Sequence, residues 1–95
     1  MFEIDNKFVD QCLERFESSR QIDILQEECA ELIKACSKFK RADNAWDQYE
    51  CVKDIAEEMA HVAISSAVVC KILNIYEDDI QKEVDKKAIK YGFEI

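Results

Sequence analysis

The sequence predicts an all-α fold, an antiparallel four-helix bundle-like domain that spans residues 1–95 as one unit. Pro is absent and Gly occurs once, at Gly92, so few positions force a helix to stop. Apolar residues recur at spacings of three and four, and no segment alternates with period two. A chain of 95 residues builds only a small core, so we expect it to assemble as a homodimer or homotetramer.

Four helices are predicted, over residues 6–17, 19–41, 48–73 and 75–91. Three capping boxes support the starts of the last three helices, and they pair Ser18 with Gln21, Asp47 with Glu50, and Asn74 with Glu77. Gly92 is predicted to end the fourth helix. The second and third helices carry apolar stripes that include Cys29 and Met59, and these stripes should face each other and the rest of the core.

The charge balance excludes several classes of partner. With 13 basic and 21 acidic residues the net charge is −8, which repels a nucleic-acid backbone. No segment approaches the roughly 18 apolar residues of a membrane span, so no membrane association is expected. The five cysteines are odd in number and lack CxxC pairs, which is typical of reduced, buried thiols and predicts a cytoplasmic protein.

A short internal repeat is the most informative feature of the sequence. Residues 27–32 (EECAEL) recur thirty positions later as residues 57–62 (EEMAHV). Each copy lies near the middle of its predicted helix, and in an antiparallel hairpin both lie equally far from the turn near Asn44, roughly 20 Å along the helix. We therefore expect four side chains at the edges of the two apolar stripes to converge: Glu28, Glu31, Glu58 and His61.

Three carboxylates at close quarters repel one another, and a divalent cation relieves that repulsion economically. Hard oxygen ligands without a thiolate suit Mg²⁺ or Mn²⁺, and Mg²⁺ held this way commonly completes its shell with water and substrate phosphates. The sequence thus predicts a Mg²⁺ site, with Mn²⁺ as the alternative because His61 offers a nitrogen ligand. Acidic residues on helices are, however, most often solvated surface.

At these residues the chain resembles the MazG-like all-α nucleoside triphosphate pyrophosphohydrolases. Their motif has the form E-E-x-x-E, a spacer, then E-x-x-D. The first half corresponds to residues 27–31 and the second half to residues 58–61, where His61 stands in place of the usual Asp. The resemblance covers roughly residues 19–92 and includes the ending Lys90-Tyr91-Gly92.

The resemblance implies an enzyme that cleaves nucleoside triphosphates between the α and β phosphates, giving a nucleoside monophosphate and pyrophosphate. It implies that Glu28, Glu31 and Glu58 bind the metal, with His61 at the fourth position. A carboxylate such as Glu27 or Glu57 would activate the attacking water. Members of the family often hold phosphates with Lys, Arg or Asn late in the fourth helix. This chain lacks a corresponding Asn there and offers lysines as candidates, namely Lys86, Lys87 and Lys90, with Lys82 earlier in the helix.

Two aromatic residues of the first helix, Phe8 and Phe16, are candidates to stack on a nucleobase, although aromatics at helical spacing more often belong to a core. Two other functions stay open. One is a non-catalytic helical adaptor or regulatory protein whose metal site is weakened by His61. The other is a pyrophosphohydrolase of a specialised nucleotide such as phosphoribosyl-ATP.

Overall fold

A computed structural model describes residues 2–93, and within that range it contains four helices and no strand. They are α1 (Asn6–Arg15), α2 (Ser18–Arg41), α3 (Ala45–Leu73) and α4 (Glu77–Lys90). The predicted all-α class is confirmed, and each helix boundary lies within three residues of its predicted position. Gly92 follows α4 with a φ of 84°, where the Gly92 N–H bonds the Ile89 carbonyl, so the predicted stop is confirmed.

The start of α3 differs from the prediction because a better capping residue precedes the predicted one. The N-cap is Asn44, whose side-chain oxygen accepts a hydrogen bond from the Asp47 N–H at 2.9 Å. The Asn44 amide in turn donates to the Asp47 carboxylate at 2.9 Å. Asp47 is therefore the partner of the cap three residues into the helix, and the predicted box with Glu50 is wrong.

The other two predicted capping boxes are also wrong. Ser18 lies inside α2, and Gln21, its predicted partner, is 4 % exposed and points into the interior. Asn74 ends α3 in the left-handed conformation (φ 56°, ψ 41°), which Asn tolerates better than most residues. The α4 cap is instead at Tyr76, whose N–H donates to the Asp79 carboxylate at 2.9 Å.

The Asn44 cap allows a direct test of the α3 start. Replacing Asn44 with Ala leaves the Asp47 N–H without its side-chain acceptor, so we expect the free energy of unfolding to fall by about 1 kcal/mol. Urea denaturation followed by circular dichroism measures this change. Ser18→Ala is the matched control, because the Ser18 side chain makes no capping hydrogen bond.

Helices α2 and α3 form a hairpin, and α1 packs against α3. The apolar residues with the least exposure come from all three of these helices: Val9, Ala35, Val68 and Val69. Helix α4 makes no substantial contact with another helix within residues 2–93 and is bent 117° from α3. A single chain therefore forms a three-helix core with an outlying fourth helix.

In the seam between α2 and α3, the helices are rotated about their own axes relative to the predicted arrangement, so that residues outside the predicted stripes face the other helix. Glu28 and Glu58 are partly buried in this seam, whereas Cys29 and Met59, which the pattern placed there, are exposed. Carboxylates seldom occupy such positions without a partner, and apolar residues seldom face outward in long rows. The rotation thus turns the acidic residues of the repeat inward and leaves an apolar face on the outside of the hairpin.

Two further expectations concern the cysteines and the membrane. All five cysteines are free, but Cys29 and Cys36 are exposed, so the prediction that the thiols are buried is wrong for these two. Among residues 2–93 no single helix is both long enough and apolar enough to span a membrane. Helices α3 and α4 meet these two criteria only when they are counted together, and they are bent by 117° relative to each other.

Candidate metal centre

The hairpin brings the two copies of the internal repeat side by side. Glu28 comes from α2, and Glu58 and His61 come from α3, one helical turn apart. Each of the three side chains offers one potential ligand atom, and these atoms all lie within 4.8 Å of one another. The predicted convergence of the two repeat copies is therefore confirmed for Glu28, Glu58 and His61, which we call the Glu–Glu–His cluster.

Within this cluster the imidazole faces both carboxylates. His61 Nδ1 lies 3.0 Å from Glu28 Oε2 and 3.4 Å from Glu58 Oε2. Both oxygens are shielded from solvent, yet neither receives a hydrogen bond of acceptable geometry from residues 2–93, even from the nearby imidazole. Shielded carboxylate oxygens without a donor are costly. Glu28 Oε2 and Glu58 Oε2 both lie near His61 Nδ1, and a cation bound between these atoms would stabilise both oxygens.

Glu31, the fourth predicted ligand, does not join the cluster. It is exposed on α2 and lines a neighbouring cleft that Glu58 also lines. Glu31 is the counterpart of His61 in the repeat, but among residues 2–93 the potential ligand atoms that lie within 4.8 Å of one another come from Glu28, Glu58 and His61. The four-residue set is thus divided between the cluster and the edge of the cleft.

The cleft beside the cluster has a volume of about 240 Å³ and is lined almost entirely by charged side chains. Its charged residues are Glu31, Lys34, Lys38, Asp54, Glu57 and Glu58. We call it the charged cleft. A second, more open depression of about 200 Å³ is lined by Glu28, His61, Ile64 and Ser65. The Glu–Glu–His cluster contributes residues to both.

The two residues predicted to activate water are in different places. Glu57 lines the charged cleft next to Glu58. Glu27 is exposed on α2 and lines neither the charged cleft nor the open depression. The geometry therefore favours Glu57 over Glu27 as a group that could reach a water molecule near the cluster.

The predicted phosphate-binding lysines lie on α4, away from the cluster. Lys86 Nζ is 3.1 Å from the Glu83 carboxylate, and Lys87 Nζ lies 5.2 Å from the centre of the Tyr91 ring. Lys90 is exposed in the last turn of the helix. Because α4 does not pack on the hairpin, the structure of one chain does not bring these lysines to the Glu–Glu–His cluster.

The predicted base-stacking residues, Phe8 and Phe16, are 42 % and 51 % exposed on and just after α1. With Gln11, Cys12 and Arg15 they line a small depression of about 110 Å³. Helix α1 lies beside the second half of α3, where Asp10 is 3.9 Å from Lys71. That contact is ten residues beyond His61, roughly 15 Å along α3. Neither Phe lines the charged cleft or the open depression.

Three charged residues of the charged cleft were not singled out from the sequence: Lys34, Lys38 and Asp54. A signal for the lysines was present, because Lys34 follows Glu31 by three residues and Lys38 follows Lys34 by four. Residues at these spacings share one face of a helix. Asp54 precedes Glu58 by four residues, so the same rule places it on the Glu58 face of α3.

Comparisons with protein-family models, with curated proteins and with solved structures returned no significant match to this chain. The resemblance to the MazG-like enzymes therefore stays a prediction based on the motif residues, and the arguments for function come from the geometry of the cluster and its clefts.

Proposed function

We propose that the protein is a divalent-metal-dependent nucleoside triphosphate pyrophosphohydrolase. The observation that carries this proposal is the convergence of Glu28, Glu58 and His61 with two shielded carboxylate oxygens that lack hydrogen-bond donors. The cleft beside this cluster, lined by lysines and further carboxylates, supports a substrate made of a cation and phosphate groups.

The donor set fits a cation of this kind. Ligand atoms about 2.1 Å from an ion lie at most about 4.2 Å apart, so small side-chain rotations close the observed separations of up to 4.8 Å. Two carboxylates with one imidazole suit Mn²⁺ better than Mg²⁺, because imidazole is a weak ligand for the harder ion. We propose Mn²⁺ as the preferred cofactor, with Mg²⁺ as the alternative.

When bound, such a cation neutralises charge on the phosphate oxygens and lowers the pKa of coordinated water. Glu28, Glu58 and His61 would hold it. Glu57, which lines the charged cleft, would accept a proton from the attacking water. The reaction consumes one water, whose oxygen would bond to the α phosphorus while the bond from that phosphorus to the bridging oxygen breaks, so that the bridging oxygen leaves with the pyrophosphate. The products are a nucleoside monophosphate and pyrophosphate.

We further propose that the protein self-associates as a homodimer or homotetramer and so completes a bundle of four or more helices. Val52 and Met59, on the outer side of α3, are 51 % and 53 % exposed, and Ile33 on α2 is 68 % exposed. Large apolar side chains exposed on both helices of a hairpin are typical of an interface between subunits. The exposed free thiols of α2, Cys29 and Cys36, support a reducing compartment such as the cytoplasm.

Sedimentation velocity at micromolar concentration tests self-association. We expect a species of two or four chains, because burial of the apolar face removes its contact with water. Met59→Glu should shift the distribution towards the monomer while the helical circular dichroism is retained. A single species of 11.1 kDa for the unaltered protein would contradict the proposal.

The activity is tested with a panel of standard and modified nucleoside triphosphates, each supplied with Mg²⁺ or with Mn²⁺. Pyrophosphate and orthophosphate are scored separately. The proposal expects pyrophosphate and a monophosphate, with faster turnover in Mn²⁺. Release of orthophosphate alone would contradict the assigned cleavage position, and inactivity with both metals would favour the non-catalytic helical adaptor.

A further inference from the structure

We propose that Lys34 and Lys38 form the subsite for the pyrophosphate portion of the substrate, so that the phosphate chain runs from the Glu–Glu–His cluster into the charged cleft. The proposal rests on the proposed function and names the phosphate-binding residues of that site. It assigns this role to α2, whereas the sequence alone had suggested Lys86, Lys87 and Lys90 on α4.

The two lysines are placed together by the helix itself. Lys34 and Lys38 are four residues apart, so their side chains leave the same face of α2 one turn apart. Both line the charged cleft, and Glu58 of the cluster lines the same cleft. A linear group that begins at the cluster and enters this cleft therefore meets both ammonium groups.

Neither lysine is engaged in an ion pair with residues 2–93, although carboxylates line the same cleft. Three other lysines of the described residues, Lys53, Lys71 and Lys86, lie 3.1–3.9 Å from carboxylates, whereas Lys40 is unpaired like Lys34 and Lys38; what distinguishes Lys34 and Lys38 is their place in the cleft. The Lys34 and Lys38 ammonium groups thus retain their hydrogen-bond donors for a ligand, and phosphate oxygens are strong acceptors for such donors.

The volume and the lining of the charged cleft indicate which part of the substrate enters it. Its volume of about 240 Å³ lies below the roughly 300–1,000 Å³ typical of pockets that hold a whole small molecule. Its lining is charged and contains one small apolar residue, Ala35. A phosphate chain fits this chemistry better than a nucleobase does, so the nucleoside is placed outside the cleft.

The open depression on the other side of the cluster is the complementary half of this arrangement. It is shallow and contains Ile64 and Ser65 beside Glu28 and His61. When the pyrophosphate portion of the substrate contacts Lys34 and Lys38, the bond that is cleaved lies near the Glu–Glu–His cluster. The nucleoside then extends from the cluster towards Ile64. The lysines would then stabilise the charge that develops on the leaving pyrophosphate.

The charges of the cleft predict that pyrophosphate and the metal bind cooperatively. Four carboxylates line the cleft against two ammonium groups, so a free anion is repelled at neutral pH. A divalent cation at the cluster reverses the local balance. Each ligand must then raise the affinity of the protein for the other by the same factor.

Calorimetric titration with inorganic pyrophosphate, with and without saturating Mn²⁺, tests the subsite. The variants are Lys34→Gln and Lys38→Gln, and Lys40→Gln is the matched control because Lys40 is exposed on α2 and lines neither cleft. In Mn²⁺ we expect each cleft variant to weaken pyrophosphate binding roughly tenfold, since each removes a charged hydrogen bond. Lys40→Gln should leave the affinity unchanged, and none of the three should weaken Mn²⁺ binding.

Three results would overturn the subsite: no binding of pyrophosphate to the Mn²⁺-loaded protein, equal losses in all three variants, or no loss in either cleft variant. The last result with normal triphosphate hydrolysis would reject the lysine subsite and leave the proposed function standing. Lysine-dependent pyrophosphate binding without hydrolysis of any triphosphate would reject the proposed function and leave the subsite standing.

Discussion

Replacing Glu58 with Gln is expected to abolish triphosphate hydrolysis and to weaken Mn²⁺ binding by at least about 100-fold, since loss even of an outer partner of a metal ligand costs about 10- to 100-fold. Glu58 is the residue common to the Glu–Glu–His cluster and the charged cleft. The helical circular dichroism should not change, because Gln preserves the volume of the side chain. Isothermal titration with Mn²⁺ and a pyrophosphate release assay measure the two effects.

Thermal melting adds a second readout for the same variant. Glu58 Oε2 is shielded and lacks a hydrogen-bond donor, so without metal Glu58→Gln should melt at the same temperature as the unaltered protein or higher. Glu50→Gln is the control, because Glu50 lies on α3 and, among residues 2–93, forms an ion pair near the surface with Lys53. Unimpaired Mn²⁺ binding and hydrolysis in Glu58→Gln would show that the cluster is not the active centre.

Replacing His61 with Asp is expected to reverse the metal preference, so that Mg²⁺ supports turnover better than Mn²⁺. The nitrogen that faces both glutamates is Nδ1, and an Asp carboxylate oxygen is the same number of bonds from Cβ. The substitution thus exchanges a nitrogen donor for a hard, charged oxygen at nearly the same place. Comparing kcat/KM in the two metals measures the change.

Thermal melting of two His61 variants separates the effect of side-chain charge on the response to metal from the effect of side-chain shape. A third carboxylate beside Glu28 and Glu58 destabilises the metal-free protein, and a bound cation more than compensates. The rise in Tm on adding Mg²⁺ should therefore be larger in His61→Asp than in the unaltered protein. His61→Asn, which keeps the shape but adds no charge, should show no such increase. Identical metal responses in all three proteins would place His61 outside the metal centre.

Much of the fold follows from local chemistry and was predictable. The absence of Pro and the lone Gly92 predicted long helices, and the boundaries differ mainly where two capping residues compete. Asn44 and Asp47 are both good N-caps, and Asn44 prevails with two hydrogen bonds to Asp47, one from the Asp47 N–H to the Asn44 side-chain oxygen and one from the Asn44 amide to the Asp47 carboxylate. The position of α4 was not predictable, because it depends on the left-handed turn at Asn74 and because α4 makes no substantial contact with another helix within residues 2–93.

The candidate site was partly predictable for a similar reason. The equal distances of the two repeat copies from the turn were enough to bring Glu28, Glu58 and His61 together. Periodicity alone could not show how far each helix is rotated about its own axis, and the rotation separates Glu31 from the cluster. It also exposes Met59 and opens the cleft that contains Lys34. Such rotations depend on the packing of both helices rather than on the pattern of either.

The central claim is that Glu28, Glu58 and His61 hold a divalent cation, and direct binding of Mn²⁺ tests it without any assumption about the substrate. Electron paramagnetic resonance counts free Mn²⁺ during a titration of the unaltered protein and of the double variant Glu28→Gln, Glu58→Gln. We predict saturable binding of one Mn²⁺ per chain at this cluster and its loss in the double variant, with unchanged helicity. No saturable binding to the unaltered protein, or equal binding to both proteins, would contradict the account.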